Sequence, residues 1–188
     1  MCSDSFIRQN LLASVLCWTC TVFNGYLITF YLKYVPGSIY LNNLYFASAD
    51  IVSYILAGLA QQFLNTKKAL MLGQMLSIVG GVMYLCLSQN KSDVLLAVIV
   101  ILNRVGTMMT GTLVYISVPR LFPTRYVTTA YSITNLVSHI FGCTSPMVAE
   151  ITDPWPFSIY VGLSVLSFFC AIFLNEYEDK KKMEKVID

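Results

Sequence analysis

Six apolar stretches dominate the sequence, and each is long enough to cross the hydrocarbon core of a membrane as a helix, which needs about 20 residues. Only a few residues connect one stretch to the next. Of the 188 residues, 56% are hydrophobic and 12% are charged, a balance outside the usual range of soluble domains. The chain is therefore predicted to be an all-α, polytopic membrane protein with six transmembrane helices. The stretches are residues 11–32, 40–63, 68–88, 94–118, 126–149 and 155–175.

The basic residues are distributed unevenly about these six spans. Two of them, Lys33 and Lys91, would lie on one side, Arg104 lies inside a span, and the remaining nine of the twelve would lie on the other side. Because Lys and Arg accumulate on the cytoplasmic side of membrane proteins, both termini are predicted to be cytoplasmic. The nine residues are Arg8, Lys67, Lys68, Arg120, Arg125, Lys180, Lys181, Lys182 and Lys185.

This topology divides the chain into three parts. Residues 1–10 form a cytoplasmic leader, residues 11–175 form the six-span membrane domain, and residues 176–188 form a charged cytoplasmic tail. The membrane is interpreted as either the plasma membrane or an organelle membrane. The predicted environment of the domain is the lipid bilayer.

Enzymatic chemistry has little support in the sequence. Cys17 and Cys20 have the spacing of a redox pair, but they lie in an apolar stretch without the strand context of a redox domain, and they are interpreted as small buried hydrophobic residues. No phosphate loop, metal cluster, or nucleophile with its base is recognisable. The chain is predicted not to be an enzyme and to use no metal or cofactor and no nucleic acid.

Asp50, Arg104 and His139 are titratable residues deep inside three different apolar stretches. Counted from the predicted cytoplasmic ends of their helices, they lie 15, 15 and 14 residues in, which is about 21 to 23 Å at 1.5 Å per residue. Hydrocarbon tolerates such groups only where they face protein or water. The trio is therefore predicted to meet at one level around a polar recess, with a path for a solute or ion as the leading hypothesis.

Each of these residues also has a purely structural interpretation. Asp50 and Arg104 are expected to pair, because a buried charge without a partner is costly, and the pair could either bind substrate or protons or only fix helix packing. His139 could take part in transport or simply hydrogen-bond a neighbouring helix. Asn24, Tyr26 and Tyr115 are further candidates to line a cavity, and their alternative role is packing or interface anchoring.

Helical spacing supports inward-facing stripes on two of the spans. Asp50 shares a face with residues 53, 54 and 57, and Arg104 with residues 107, 111 and 115, at intervals of three and four residues. The third span contains small residues that are predicted to pack closely against neighbouring helices, namely Gly73, Ser77, Gly80 and Gly81.

Prolines mark the ends of two spans. Pro119 and Pro123 are predicted to break the fourth span and, with Arg120 and Arg125, to form a cytoplasmic hinge. Pro146 is expected to kink the fifth span, where neighbouring helices can satisfy the freed carbonyl.

Residues 104–146 resemble the tenth and eleventh spans of the major facilitator superfamily, in its organic cation/anion transporter branch. The likeness rests on Arg104, on the turn of residues 121–124 (Leu-Phe-Pro-Thr) and on Pro146, which fall at the family's separations. The Ala-Asp-Ile triplet at residues 49–51 is similar to a triplet of the family's eighth span. The whole chain is thus similar to the C-terminal six-helix half of such a transporter.

This resemblance implies transport of small organic ions. Asp50 and Arg104 would set the electrostatics of the cavity wall, and no cofactor is implied because coupling in such folds uses gradients or exchange. His139 occupies the position where the family commonly has a charged residue that helps to select anions or cations. A histidine leaves the sign of the substrate open, because an imidazole changes charge near neutral pH.

The length of the chain sets a further requirement. Transporters of this superfamily bind substrate near the midplane, between two six-helix halves, and 188 residues supply only one half. The expected partner is a second copy of the chain, a separate N-terminal half or a larger membrane complex. The alternatives are a structural or accessory subunit that does not transport, and an incomplete product of a twelve-span protein.

Overall fold

The computed structural model describes residues 2–35, 38–87 and 93–175, and these form helices and short connections without a strand. The sequence prediction of an all-α protein is confirmed for this part of the chain. The predicted charged tail, residues 176–188, lies outside the described residues. The helices are α1 (Cys2–Tyr31, followed by a 3₁₀ turn over Leu32–Tyr34), α2 (Ile39–Phe63), α3 (Thr66–Leu87), α4 (Asp93–Leu121), α5 (Thr124–Gly142), α6 (Ser145–Ala149) and α7 (Trp155–Phe173).

Five of these helices are long and apolar enough to cross a membrane, as judged by length and composition. They are α1, α2, α3, α4 and α7, and their apolar segments match five of the six predicted spans. Helix α5 does not meet the criterion, because it carries hydroxyl and amide side chains along most of its length. These apolar helices are those of a multi-pass membrane protein.

Helices α1 and α4 lie at the centre of the bundle. Helix α1 packs against α4, α5, α6 and α7, while α4 also packs against α2, α3 and α5. Helix α3 contacts both α4 and α7, so that α3 and α7 cover one side of the central pair. Helices α2 and α5 flank it on the other side, where the site described below is formed.

Contacts at the two ends of the bundle show how the chain runs through it. At one end, the Asn10 side chain donates to the carbonyls of Leu121 and Asn175, at 3.1 and 2.8 Å. At the opposite end of α1, the Tyr31 hydroxyl donates to the Asp153 carboxylate at 2.8 Å. The segment between Leu121 and Asp153 therefore crosses the bundle from end to end, although α5 is not strongly apolar.

The residues predicted as the leader lie at the beginning of a long helix. Helix α1 starts at Cys2, and Asn10 is completely buried. Its amide binds the carbonyl of Leu121, the last residue of α4, which lacks a partner within its own helix, and that of Asn175, just beyond α7. A polar residue is thus a structural requirement at this position.

We expect Asn10→Leu to lower the free energy of unfolding by about 1 to 3 kcal/mol, because it leaves the carbonyl of the buried Leu121 without its Asn10 donor and also removes the hydrogen bond to Asn175. Thermal unfolding of the purified chain in mild detergent measures this loss. Asn43→Ala is the control, because Asn43 is exposed and donates only to the Ile39 carbonyl of its own helix. Equal stability of the two variants would contradict the role of Asn10.

The prolines act differently from the prediction at two places. Pro119 lies inside α4, which continues to Leu121, and the Phe122 N–H donates to the Val118 carbonyl at 3.2 Å to close the last turn. Only Pro123, which precedes α5, stands at the break. A proline this close to the end removes a single helical hydrogen bond, so the last turn can still form.

The fifth predicted span is interrupted just before Pro146 by two turn residues, Cys143 and Thr144. Helix α5 ends at Gly142, and α6 begins at Ser145 with Pro146 in its first turn. A proline is compatible with the first turn of a helix, where its missing N–H would have no partner in any case. The predicted span 126–149 is therefore two helices.

The small residues of α3 pack closely, as predicted. A Cβ atom added at Gly73 would lie 2.5 Å from Thr110 Oγ1, and one added at Gly80 would lie 2.5 Å from Asn103 Oδ1. Both neighbours belong to α4, and such distances are shorter than any normal contact. The α3–α4 interface thus depends on residues without side chains.

Candidate functional site

An open cavity of about 640 Å³ lies where α1, α2, α4 and α5 face one another. Most of its lining comes from α1 and α4. Helix α2 contributes Tyr54, and helix α5 contributes His139. The volume is within the range of pockets that hold small organic molecules.

Arg104 borders the cavity and is held by a bidentate ion pair with Asp50. Its Nε donates to Asp50 Oδ1 at 2.7 Å, and its Nη2 donates to Oδ2 at 3.0 Å. The side chains are 12% and 23% exposed, respectively. The predicted pairing of these two residues is confirmed, and the parallel geometry is the strongest that a guanidinium and a carboxylate can adopt.

Helix α1 supplies two further acceptors for the same guanidinium. Arg104 Nη1 donates to Thr29 Oγ1 at 2.7 Å and to the Gly25 carbonyl at 3.4 Å. The Phe46 ring of α2 lies 5.3 Å from the guanidinium carbon, measured to the ring centroid. Arg104 therefore joins three helices at one wall of the cavity.

His139 lines the same cavity from the opposite flank. Its Nδ1 lies 3.2 Å from the Tyr26 hydroxyl of α1, and the side chain is half-buried. The structure thus brings His139 and Arg104 to one cavity, with Asp50 directly behind Arg104. Arg104 and His139, which are far apart in the sequence, thus line one cavity whose surface is mostly apolar, and Asp50 pairs with Arg104.

Tyr26 and Tyr115 also line the cavity, whereas Asn24 does not. The Asn24 amide donates to the Tyr160 carbonyl and to Ser164 Oγ, at 3.2 and 2.9 Å, and so connects α1 to α7. Successive residues of a helix are about 100° apart, so Asn24 and Tyr26 point in nearly opposite directions. The expectation that both face the cavity is wrong for Asn24, which serves packing.

Two polar contributions were not found by sequence reasoning. Thr29 accepts a hydrogen bond from Arg104. The one feature of the sequence that could have indicated this role is its position on α1, one turn after Gly25 and Tyr26. Behind the cavity, the buried Gln74 amide donates to Ser167 Oγ at 2.6 Å and to Thr21 Oγ1 at 3.3 Å. A buried amide of this kind is stable only with such partners, but the sequence does not name them.

The cysteine pair of the first span is buried in the bundle. Cys17 is 1% exposed and Cys20 is 4% exposed, and both are free thiols. Ser167 donates to the Cys17 sulfur at 3.2 Å. Both residues pack as small apolar side chains in this structure.

The predicted hinge lies at the end of the bundle where α4 meets α5. In the amide orientation that satisfies its neighbours, Gln61 Oε1 accepts from Arg120 Nη1 at 2.6 Å. This contact links the last turn of α4 to the last turn of α2. Arg125 is exposed in the first turn of α5, and Pro123 separates it from α4.

An ion pair links α6 to the end of α1 at the opposite end of the bundle. Lys33 Nζ and the Tyr34 hydroxyl both donate to the Glu150 carboxylate. The hydrogen bond from Lys33, and then that from Tyr34, lower the pKa of Glu150 below its ordinary value. A lowered carboxyl pKa means that the contact is present at neutral pH and is lost as the pH falls through that lowered value.

No protein-family model and no curated protein matches this chain. The likeness of residues 104–146 to the major facilitator superfamily therefore remains a prediction from the sequence. The function is argued below from the site itself.

Proposed function

We propose that the chain is the C-terminal half of a major facilitator-type carrier that moves small organic ions across a membrane. The observation that supports this best is the cavity, in which groups from four helices converge on one space large enough for a small solute. In a bilayer, buried titratable groups around a cavity are typical of a solute or ion pathway. Arg104 and Asp50 would set the field in the cavity, and His139 would tune it.

The open face of the cavity supports a requirement for a partner half. Helix α5 presents Arg125, Thr128 and Ser132 on its exposed surface, and lipid cannot satisfy such groups. Helix α2 presents exposed apolar residues on the other flank, including Ile51, Ile55 and Leu59. A second six-helix half would cover both flanks and close the cavity between the two halves, as in carriers with this symmetry.

The topology that we propose has six spans, with α5 and α6 together forming the fifth. The contact of Asn10 with Asn175 supports an even number, because it places the start of α1 and the end of α7 at the same end of the bundle. The uneven distribution of Lys and Arg assigns that end to the cytoplasm. Residues 119–125, held to α2 through Arg120 and Gln61, would then act as the cytoplasmic hinge of a rocking movement.

Uptake by membrane vesicles that contain the full chain and its native partners tests this function. Two labelled probes, cationic tetraethylammonium and anionic benzoate, test for a positively and for a negatively charged substrate. We expect uptake of one of them to be lost in Asp50→Asn, Arg104→Ala and His139→Ala at normal membrane levels. Lys68→Ala is the matched control, because it removes an exposed positive charge that does not line the cavity.

The alternative of a structural subunit gives the opposite result. In that case the chain would purify in mild detergent as part of a large stoichiometric complex, and vesicles that contain it would take up neither probe. This result would contradict the proposed transport function and favour the structural role. The sequence of the native transcript separately tests whether six further spans are encoded upstream.

A further inference from the structure

We propose that the solute held in the cavity is an organic monoanion with an apolar or aromatic body, and that protonated His139 provides the positive charge that pairs with it. This rests on the proposed transport function. It specifies that function further, by giving the sign of the charge on the substrate and by stating that one proton enters with each anion. The sequence decides neither point.

Arg104 is not free to provide that charge. A guanidinium has five N–H donors, and four of them are directed to the two Asp50 oxygens, to Thr29 and to the Gly25 carbonyl. The paired charges also cancel. An anion could use Arg104 only by displacing Asp50, which would leave a partly buried carboxylate without its partner.

The same pair leaves no site for a cation. Each oxygen of the Asp50 carboxylate accepts a hydrogen bond from Arg104, and the cavity lining contains no acidic residue. A cationic solute would thus meet no free negative charge. The ion pair of Arg104 with Asp50 is neutral as a whole, so a protonated His139 would add the uncompensated positive charge at the cavity.

His139 is positioned to change its charge without losing its anchor. A hydroxyl can donate to the neutral imidazole and can accept from the protonated one, so the Tyr26 hydroxyl can hold Nδ1 at 3.2 Å in both states. Within the described part of the chain, Nε2 makes no hydrogen bond. It remains available to donate to a carboxylate in the cavity.

The groups that face His139 are compatible with this role. Helix α1 brings Tyr26 against the imidazole, α4 brings Tyr115 and Arg104 to the same cavity, and α2 brings Tyr54. Asp50 of α2 compensates the charge of Arg104. None of these provides an uncompensated charge that would compete with a bound anion. The tyrosine rings and Met108 provide apolar surface for the body of the solute.

The proton balance of the binding step follows directly. The neutral imidazole takes up one proton from solution, and the resulting N–H donates to the carboxylate of the solute, so that one proton and one negative charge enter together. Release of the anion on the other side returns the proton to solution. The transfer moves no net charge.

Calorimetric binding to the full chain, purified in mild detergent with any partner that remains bound, tests the proposal. The probes are benzoate, neutral benzamide and cationic benzyltrimethylammonium, which share one ring and differ in charge. Carboxylic acids ionise near pH 4, so benzoate stays anionic between pH 5.5 and 8. We expect its affinity to fall by up to tenfold per pH unit as the pH rises, with one proton taken up per benzoate bound, while benzamide shows no pH dependence.

His139→Gln is the decisive variant, because His139 is the only histidine in the chain. We expect it to bind benzoate weakly and without pH dependence. Thermal unfolding of the variant, followed by the fluorescence of the buried Trp18, shows whether it is folded. The proton count on the unaltered chain is a second test that needs no variant.

Failure of this inference can be distinguished from failure of the proposed function. Benzoate binding without proton uptake, or tighter binding of benzyltrimethylammonium than of benzoate, would overturn the assignment of an anion and leave a solute cavity in place. If none of the three probes bound at any pH, both the assignment and the proposed function would be wrong.

Discussion

We expect the Asp50→Asn variant to unfold at a markedly lower temperature than the unaltered chain, with a loss of about 3 kcal/mol in the free energy of unfolding. The substitution keeps the shape of the side chain but removes the charge opposite Arg104, whose side chain is only 12% exposed. A largely buried guanidinium then has no counter-charge. Fluorescence of the buried Trp18 during thermal unfolding in detergent can report the transition.

A double-mutant cycle separates this pairing from other effects of the substitution. Arg104→Gln alone should destabilise the chain to a similar extent, because it leaves the Asp50 carboxylate without its partner. The combination of Asp50→Asn and Arg104→Gln should recover most of the loss, since it removes both charges together. If the two single losses simply added in the double variant, the ion pair would not be what stabilises this part of the bundle.

The second large effect is expected for Gly106→Ala. A Cβ atom at this position would lie 2.7 Å from the backbone nitrogen of Ser77 and 3.2 Å from the Gly73 carbonyl oxygen. Backbone atoms cannot rotate away from a clash as a side chain can, so α3 and α4 must separate. We expect a loss of about 1 to 3 kcal/mol or more, measured by the same thermal unfolding.

Gly162→Ala is the matched control for that prediction. Gly162 also lies inside a helix, α7, but a Cβ atom added there meets nothing within 4 Å. Alanine is favoured over glycine in a helix interior by about 1 kcal/mol, so this variant should be as stable as the unaltered chain or more stable. An equal free energy of unfolding in Gly106→Ala and Gly162→Ala would contradict the close approach of α3 and α4.

The sequence predicted the helices well, because apolar runs of membrane length leave few other structures possible. What it could not predict were long-range contacts. Asn10, in the segment predicted as the leader, is buried and binds partners at residues 121 and 175. Such long-range contacts cannot be seen in a local pattern. Pro146 was expected to kink a helix, but a proline is equally compatible with starting one.

The sequence predicted those parts of the candidate site that contain charged residues. The pairing of Asp50 with Arg104 followed from the high cost of an isolated buried charge. The contact of Tyr26 with His139 did not follow, because twelve tyrosines leave many possible partners for one imidazole. Asn24 was predicted to line the cavity together with Tyr26. Its angular position on α1 places it on the side of the helix that faces away from the cavity.

The polar character of α5 has a consequence for how the chain is made. Strongly apolar segments leave the translocon into the membrane as separate helices. Helix α5 falls short of this by composition, although it packs against α1. In the six-span topology proposed above, α5 is therefore expected to enter the membrane together with other helices of the bundle, so that the polypeptide as a whole, rather than this segment, determines its final topology.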